Sequence, residues 1–168
     1  MPPRPFRLGR ARTGLGLFAT RPIKKNLRIA EYKGKLLPLK EAEAAEARGN
    51  RYLYEVTKKW TIDGKDRGNI ARYFNHSCNP NTESYSIGKR VFVRTIKPIK
   101  PGDELVYDYG SDYLNNVIGK SRCQCPRCRK RRAKRAKELR LLRLRREARL
   151  AARKKKERAA KRKTKKKA

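Results

Sequence analysis

The run Gly68-Asn-Ile-Ala-Arg-Tyr-Phe-Asn75-His76-Ser-Cys78-Asn-Pro80-Asn81 is the most informative part of this 168-residue chain. It contains the only histidine and one of the four cysteines. The other three thiols follow in Cys123-Gln-Cys-Pro-Arg-Cys128. Four thiolates are what a closed, tetrahedral zinc site requires, so we expect one structural Zn²⁺ ion. Its predicted ligands are Cys78, Cys123, Cys125 and Cys128. The alternative, reduced thiols in a reducing cell without a metal, leaves the clustering of three of them unexplained.

The charge of the chain is strongly positive and unevenly distributed. The formal net charge is +34, and residues 129–168 alone carry 23 Lys and Arg against 3 Asp and Glu. Such a charge attracts polyanions, which indicates DNA, RNA or an acidic protein surface as a partner. No run approaches the roughly 18–20 apolar residues of a membrane helix, and the N-terminus has no apolar run typical of a secretory signal. We therefore expect an intracellular protein without a membrane partner.

Short strands separated by glycines dominate the sequence up to about residue 110. Strands are predicted at Leu27–Tyr32, Tyr52–Val56, Val91–Thr95 and Glu104–Tyr109. A helix is predicted from Leu39 to Arg48, where Gly49-Asn50 ends it. Beyond residue 128 the chain has no Gly or Pro and is rich in good helix formers, which predicts a basic helix or a disordered basic tail.

Four elements in order resemble the SET-domain family of protein lysine methyltransferases. The first is the turn Gly14-Leu15-Gly16, and the second is the Asn75-His76-Ser-Cys loop already quoted. The third is Gly102-Asp-Glu-Leu-Val-Tyr-Asp-Tyr-Gly110, and the fourth is the cysteine cluster, which is similar to the family's post-SET zinc motif. Only two residues separate the last two cysteines, where the family usually has four. With the short stretch between the first predicted strand and the loop, the chain looks like the compact bacterial or viral members.

The resemblance implies the fold, the reaction and the residues that serve it. The fold would be mostly β, a SET-like set of small curved sheets with short helices and a knot-like C-terminal crossing. The reaction would transfer methyl from S-adenosyl-L-methionine to a lysine amine. Tyr109 and Tyr107 are expected to be catalytic. Tyr107 would line the channel for the lysine and limit the product to mono- or dimethyl-lysine, and Tyr52 is expected in the same channel. The cofactor would contact Gly14, Leu15, Gly16, Arg72, Asn75 and His76.

Each of these residues also has a plainer interpretation. The two tyrosines could be packed strand residues, Asn-Pro-Asn is a common turn, and the paired glycines could form only a hairpin. The pattern around the glycines lacks the further residues of a P-loop or a dinucleotide fingerprint.

The resulting prediction has three segments: a SET-like catalytic domain at 1–112, a post-SET zinc segment at 113–128 and a Lys/Arg-rich tail at 129–168. We expect a monomer acting on a chromatin, nucleoid or ribosome-associated protein, in the cytoplasm or nucleoid of a bacterium or the nucleus of a eukaryote. The tail would reach DNA or RNA, or be methylated itself. The alternative function is a zinc-stabilised basic nucleic-acid-binding protein with an inactive SET-like core.

Overall fold

The structure is a computed structural model that describes residues 3–119 and 121–165, with side chains up to residue 156. Contacts divide the chain into two compact units, Met1–Arg127 and Cys128–Ala168. The first unit contains three small sheets with short helices between them. The mostly β fold predicted from the sequence is therefore confirmed. The knot-like crossing and the segment boundaries stay predictions.

The first sheet includes Asn75 and His76 of the Asn-His loop as a short strand of its own. It is formed by β1 (Phe6–Ala11), β2 (Gly14–Ala19), β10 (Glu104–Tyr107) and β7 (Asn75–His76), in the order β1-β2-β10-β7. β10 runs antiparallel to β2 and parallel to β7. A parallel neighbour requires a crossover connection, so this short pair brings the Asn-His loop against the strand that leads to Tyr109.

Two further three-stranded sheets complete the domain. One has the order β3-β9-β8, formed by β3 (Arg28–Tyr32), β8 (Thr82–Ile87) and β9 (Arg90–Thr95). The other has the order β4-β6-β5, formed by β4 (Lys35–Pro38), β5 (Leu53–Thr57) and β6 (Trp60–Asp63). α1 (Leu39–Ala47) follows β4, and Gly49 has a φ of +85° just beyond its end, a backbone conformation that glycine adopts without strain.

One apolar core joins strands of all three sheets. Leu17, Leu105 and Val91 are completely buried in it, and Phe74 is 1% exposed. The 3₁₀ turn Ile70–Tyr73 directs Phe74 into this core, where its ring lies 6.0 Å from that of Tyr107. The position of the Asn-His loop is therefore set by the burial of the residues immediately before it.

Most of the described residues after Gly110 are helical. α2 (Ser111–Tyr113) is followed by a π-helical turn (Leu114–Ile118), and α3 extends over Pro126–Lys165. The sequence predicted either a basic helix or a disordered basic tail, and the described residues of the tail form the helix. No helix among the described residues has both the length and the apolar composition needed to cross a membrane.

Candidate active site

A cavity of about 740 Å³ in the first unit collects most of the predicted site residues. This volume is in the range of small-molecule sites. Seven of the eight tyrosines of the chain line it: Tyr32, Tyr52, Tyr54, Tyr73, Tyr107, Tyr109 and Tyr113. Gly14, Leu15, Arg72 and Asn75 also line it, whereas Gly16 and His76 do not. The cavity therefore combines an aromatic wall with a few polar groups.

Tyr109 has a hydroxyl of fixed orientation. The hydroxyl donates a 2.6 Å hydrogen bond to the backbone carbonyl of Phe74. Because its proton is used there, its lone pairs are available to accept from a group inside the cavity. Burial, followed by the neighbouring Tyr113, raises the pKa of Tyr109 above its ordinary value. The hydroxyl is thus neutral at physiological pH and can accept a hydrogen bond.

Tyr107 lines the same cavity. The strand predicted at Glu104–Tyr109 is shorter in the structure. β10 ends at Tyr107 rather than at Tyr109, because the backbone N–H of Tyr109 donates to the His76 ring at 3.2 Å instead of to a strand neighbour. The rings of Tyr107 and Tyr109 nevertheless lie 5.0 Å apart. Burial, followed by Tyr109, raises the pKa of Tyr107 well above its ordinary value. Among the described residues nothing hydrogen-bonds to the Tyr107 hydroxyl, which is therefore available to a ligand.

Arg72 brings a cation to the cavity wall. Its guanidinium lies 3.8 Å from the Tyr52 ring centroid and 5.4 Å from that of Tyr73, and it donates to the backbone carbonyl of Lys65. Its Nε is buried and has no hydrogen-bond partner among the residues that the structure describes. A buried donor without a partner is costly, so the Arg72 Nε is suited to donate to an acceptor such as a carboxylate. Tyr52 supports this guanidinium in addition to lining the cavity.

Gly14 and Leu15 of the glycine turn line the cavity together with Asn75. Gly14 has a φ of +119°, and a Cβ built on it would have no neighbour within 4 Å, so the backbone is accessible there. The Asn75 side-chain amide donates to the Leu15 carbonyl at 3.1 Å and to the Glu104 carboxylate at 2.7 Å. A Cβ on Gly16 would lie 2.9 Å from that amide nitrogen, too close for an ordinary contact. Gly16 therefore permits the approach of β2 to Asn75, and its predicted contact with a cofactor stays a prediction.

His76 lies behind the cavity, between Tyr109 and Cys78. Burial is the main reason that its pKa is lowered, and the nearby Asp108 carboxylate opposes the shift. Its Nε2 lies 3.2 Å from the Cys78 sulfur. The predicted cofactor contact of its ring also stays a prediction, because the ring contacts protein groups on both of its nitrogens.

Four cysteine sulfurs form a cluster of the kind that holds zinc. Cys78, Cys123, Cys125 and Cys128 have sulfurs within 4.8 Å of one another. Tetrahedral Zn–S bonds of about 2.3 Å imply S···S separations of about 3.8 Å, and Cys78 and Cys123 are 4.0 Å apart. That separation is about twice a disulfide bond length. The donor set and the geometry fit the predicted Zn²⁺.

Sequence reasoning missed four tyrosines of the cavity, Tyr32, Tyr54, Tyr73 and Tyr113. The Tyr54 hydroxyl donates to Ser84 at 2.8 Å, and the Tyr113 hydroxyl donates to the Arg51 carbonyl at 3.3 Å. The available signal was compositional, since eight tyrosines against four phenylalanines is an unusual ratio for a small core. Spacing identified only the pair at 107 and 109.

Comparisons with known proteins agree with this architecture. The SET domain family profile matches residues 14–110. The histone-lysine N-methyltransferase trr of Drosophila melanogaster is 37% identical over 70% of this chain, and histone-lysine N-methyltransferase NSD3 of Mus musculus is 36% identical over 68%. A humanized mutant of the Chaetomium thermophilum Polycomb Repressive Complex 2, bound to the inhibitor GSK126, contains a chain that matches 67% of this one at 30% identity with a TM-score of 0.59.

The fold and the site thus define a SET domain. The chain belongs to the SET-domain family, whose resemblance was visible in the loop from Gly68 to Asn81. It spans only 5% of the fly protein, 8% of the mouse protein and 16% of the Polycomb chain.

Proposed function

We propose that this chain transfers methyl groups from S-adenosyl-L-methionine to the side-chain amine of a lysine in a protein substrate. The observation that carries the proposal is the cavity where the Tyr109 hydroxyl, its proton engaged by Phe74, faces an aromatic wall beside Arg72. Family membership supports the same activity, because the curated relatives are named histone-lysine N-methyltransferases.

The residues present fit the cofactor. S-adenosyl-L-methionine, when bound, supplies a methyl group on a positively charged sulfur, and its amino-acid end carries a carboxylate. The Arg72 guanidinium, whose buried Nε has no partner among the described residues, would bind that carboxylate, and the backbone at Gly14 and Leu15 would allow close approach. The fit does not depend on Gly16 or the His76 ring, which lie outside the cavity wall.

The catalytic work of the chain would be positioning. Alignment of an amine lone pair with the methyl group is the main lever in a direct displacement. The lone pairs of Tyr109 would accept an N–H of the amine and so orient it. The aromatic wall disfavours an ammonium ion, which helps the lysine to lose its proton.

The product of this reaction would be mono- or dimethyl-lysine. The Tyr107 hydroxyl is available in the cavity and could hold the amine or a water in the space that a third methyl group requires. We therefore expect a Tyr107→Phe variant to produce more highly methylated lysine than the wild type, as read by mass spectrometry of the product.

The decisive experiment is incubation of the zinc-loaded full chain with methyl-labelled S-adenosyl-L-methionine, alone and with a cell lysate. Tyr109→Phe should abolish labelling of protein. Tyr85→Phe is the matched control, because Tyr85 is the one tyrosine outside the cavity and its hydroxyl accepts from Arg28. A folded wild-type protein that transfers no label would overturn the proposal and favour the alternative, a binding protein with an inactive SET-like core.

A nucleic-acid partner is supported by α3. Every side chain from residue 133 to 156 is exposed, and this stretch contains twelve Lys or Arg and two Glu. Residues 126–168 contain no aromatic residue, so stacking on unpaired bases, the usual means of holding single strands, is not available to it. We infer that α3 contacts the phosphates of duplex DNA or RNA without base preference.

This second proposal is tested by the salt dependence of duplex binding. Replacing Arg140, Arg145, Arg146 and Arg149 with Gln preserves helix propensity and should reduce the slope of log affinity against log salt by about 1 to 3. The matched control replaces Lys24, Lys25, Lys58 and Lys59, exposed residues outside α3. An equal reduction in the control, or tighter binding to the single strand, would contradict it.

The substrate and the location of the protein follow from these two activities. The relatives named above act on histones by name, which favours a chromatin or nucleoid protein and an intracellular location, the nucleus in a eukaryote. Lysines of the tail itself are alternative substrates, because tethering would give them an effective concentration on the order of millimolar wherever the tail reaches the cavity. Label on residues 129–168 without added substrate would support self-methylation, and an unlabelled tail would contradict it. A monomer remains our expectation.

A further inference from the structure

His76 contacts a different functional group on each ring nitrogen. Its Nδ1 lies 3.2 Å from the backbone nitrogen of Tyr109, and its Nε2 lies 3.2 Å from the Cys78 sulfur. The side chain is only 5% exposed, and its ring packs edge-on against the Tyr109 ring at 5.4 Å. The ring therefore lies between the cysteine cluster and the tyrosine that we propose as catalytic.

The contact with Tyr109 determines the tautomer of His76. A backbone N–H can only donate, so Nδ1 must be the acceptor and must carry no proton. In a neutral imidazole the other nitrogen then carries the hydrogen, which places an N–H donor at Nε2, facing the Cys78 sulfur. The Asp108 carboxylate, 3.6 Å from Nδ1, cannot donate to it and so does not compete for this position.

The same contact holds the backbone beyond the end of β10. Ladder hydrogen bonds end with Tyr107, whose carbonyl accepts from Ser77 at 3.0 Å. Two residues later, the Tyr109 N–H bonds to a side chain rather than to a strand. The His76 ring thus takes the place of a strand neighbour where the chain turns toward the cavity.

We propose that His76 is a positioning residue that couples the metal-binding cysteine cluster to the backbone of Tyr109. The proposal rests on the proposed methyltransferase function, and it assigns to His76 a role different from cofactor contact. A metal-bound thiolate is a strong acceptor, and donors to such ligands orient them and tune the metal. The metal would therefore fix Cys78, Cys78 would fix the His76 ring, and the ring would fix Tyr109.

The tautomer can be measured without any variant, because the chain contains a single histidine. In the ¹⁵N spectrum of histidine-labelled, zinc-loaded protein, Nε2 should be the protonated nitrogen and Nδ1 the acceptor. Removing the metal with a chelator should shift the Nε2 resonance. A proton on Nδ1, or resonances that do not respond to the metal, would overturn the proposal.

Two substitutions separate the two contacts of the ring. His76→Gln keeps a side-chain N–H close to the position of Nε2 and loses the acceptor for Tyr109. His76→Asn keeps an oxygen close to the position of Nδ1 and loses the donor for Cys78. The readouts are the thiolate-to-metal absorption band of the Co²⁺-substituted protein without cofactor, zinc affinity by chelator competition, and methyl transfer to a labelled protein.

The two variants should fail in opposite ways. His76→Asn should move the cobalt band and weaken zinc binding about tenfold or more, whereas His76→Gln should keep the wild-type band. His76→Gln should lower kcat about tenfold and leave the KM for S-adenosyl-L-methionine unchanged. An unmoved band in His76→Asn, or an equal band shift in both variants, would overturn the proposal. If the wild type transfers no methyl group, the proposed function fails, and the cobalt and ¹⁵N measurements still test the coupling.

Discussion

The sheets of residues 14–110 and the helix α3 are stabilised in opposite ways. In the sheets, strands distant in sequence pair with each other, as β2 does with β10, and their register partners Leu17 and Leu105 are completely buried in the core. In α3 every side chain from 133 to 156 is exposed, so its stability comes from helix propensity and from pairs within the helix. The geometry of the site therefore depends on packing between distant strands, whereas the helix that carries the charge of the tail depends on local sequence alone.

Residues 113–128, between these two regions in sequence, lie mostly outside both the paired strands and the long helix. Removing a metal from this segment should therefore have the largest effect. The buried side chains described between residues 113 and 128 are Cys123, Cys125 and Cys128, so a metal would supply on the order of 10 kcal/mol of ordering energy there. Chelation should remove hydrogen-exchange protection from residues 113–128 and keep it in β2. Excess Zn²⁺ should restore both protection and methyl transfer. Protection and activity that survive chelation would contradict the zinc site.

Truncating one leucine in each region tests the comparison directly. Leu105 is completely buried and Leu142 is 58% exposed. Leu105→Ala should reduce the free energy of unfolding by about 2–5 kcal/mol, and Leu142→Ala should change it by less than about 0.5 kcal/mol. Urea titrations followed by tyrosine and tryptophan fluorescence would measure both. Similar losses would mean that α3 has a packed partner in solution.

The pH dependence of catalysis should distinguish the buried tyrosines from ordinary ones. Because burial raises the pKa of Tyr107 and Tyr109 above the usual value of about 10, both hydroxyls should stay protonated through pH 10. The value of kcat/KM should then follow deprotonation of the free lysine, whose pKa is about 10.4, and rise about tenfold per unit between pH 7 and 9. Initial rates with a peptide substrate provide the test, and a falling limb below pH 10 would show that a site tyrosine ionises.

The smallest expected effect concerns an ion pair on α3. Arg143 and Glu147 are 2.8 Å apart at i,i+4 spacing and are well exposed. Glu147→Gln should cost only about 0.2–0.5 kcal/mol of helix stability, with the lower value favoured because the acidic residue follows the basic one. Circular dichroism at 222 nm during thermal melting, at low and high salt, would detect it. A loss that persists at 1 M salt would rule out an electrostatic origin.

Much of the domain was predictable because one loop carries a specific pattern. Asn75, His76 and Cys78 identified the family, and the family implied the sheets, Tyr109 and the four cysteines. The convergence of Tyr32, Tyr54, Tyr73 and Tyr113 was not predictable, because it depends on how three sheets meet and no local spacing records that. The early end of β10 was missed for the same reason, since the partner of the Tyr109 N–H lies thirty-three residues away.

The central place of β10 in its sheet has a consequence for biosynthesis. β10 lies between β2 and β7 but is the last of the four strands to be translated. Until residues 104–107 leave the ribosome, the inner edge of β2 has no neighbour, and unpaired edges invite contact with other chains. The nascent domain therefore stays incomplete until translation reaches the strand that leads to Tyr109, the residue that we propose as catalytic, and a chaperone that shields β2 during this interval should raise the yield of folded protein.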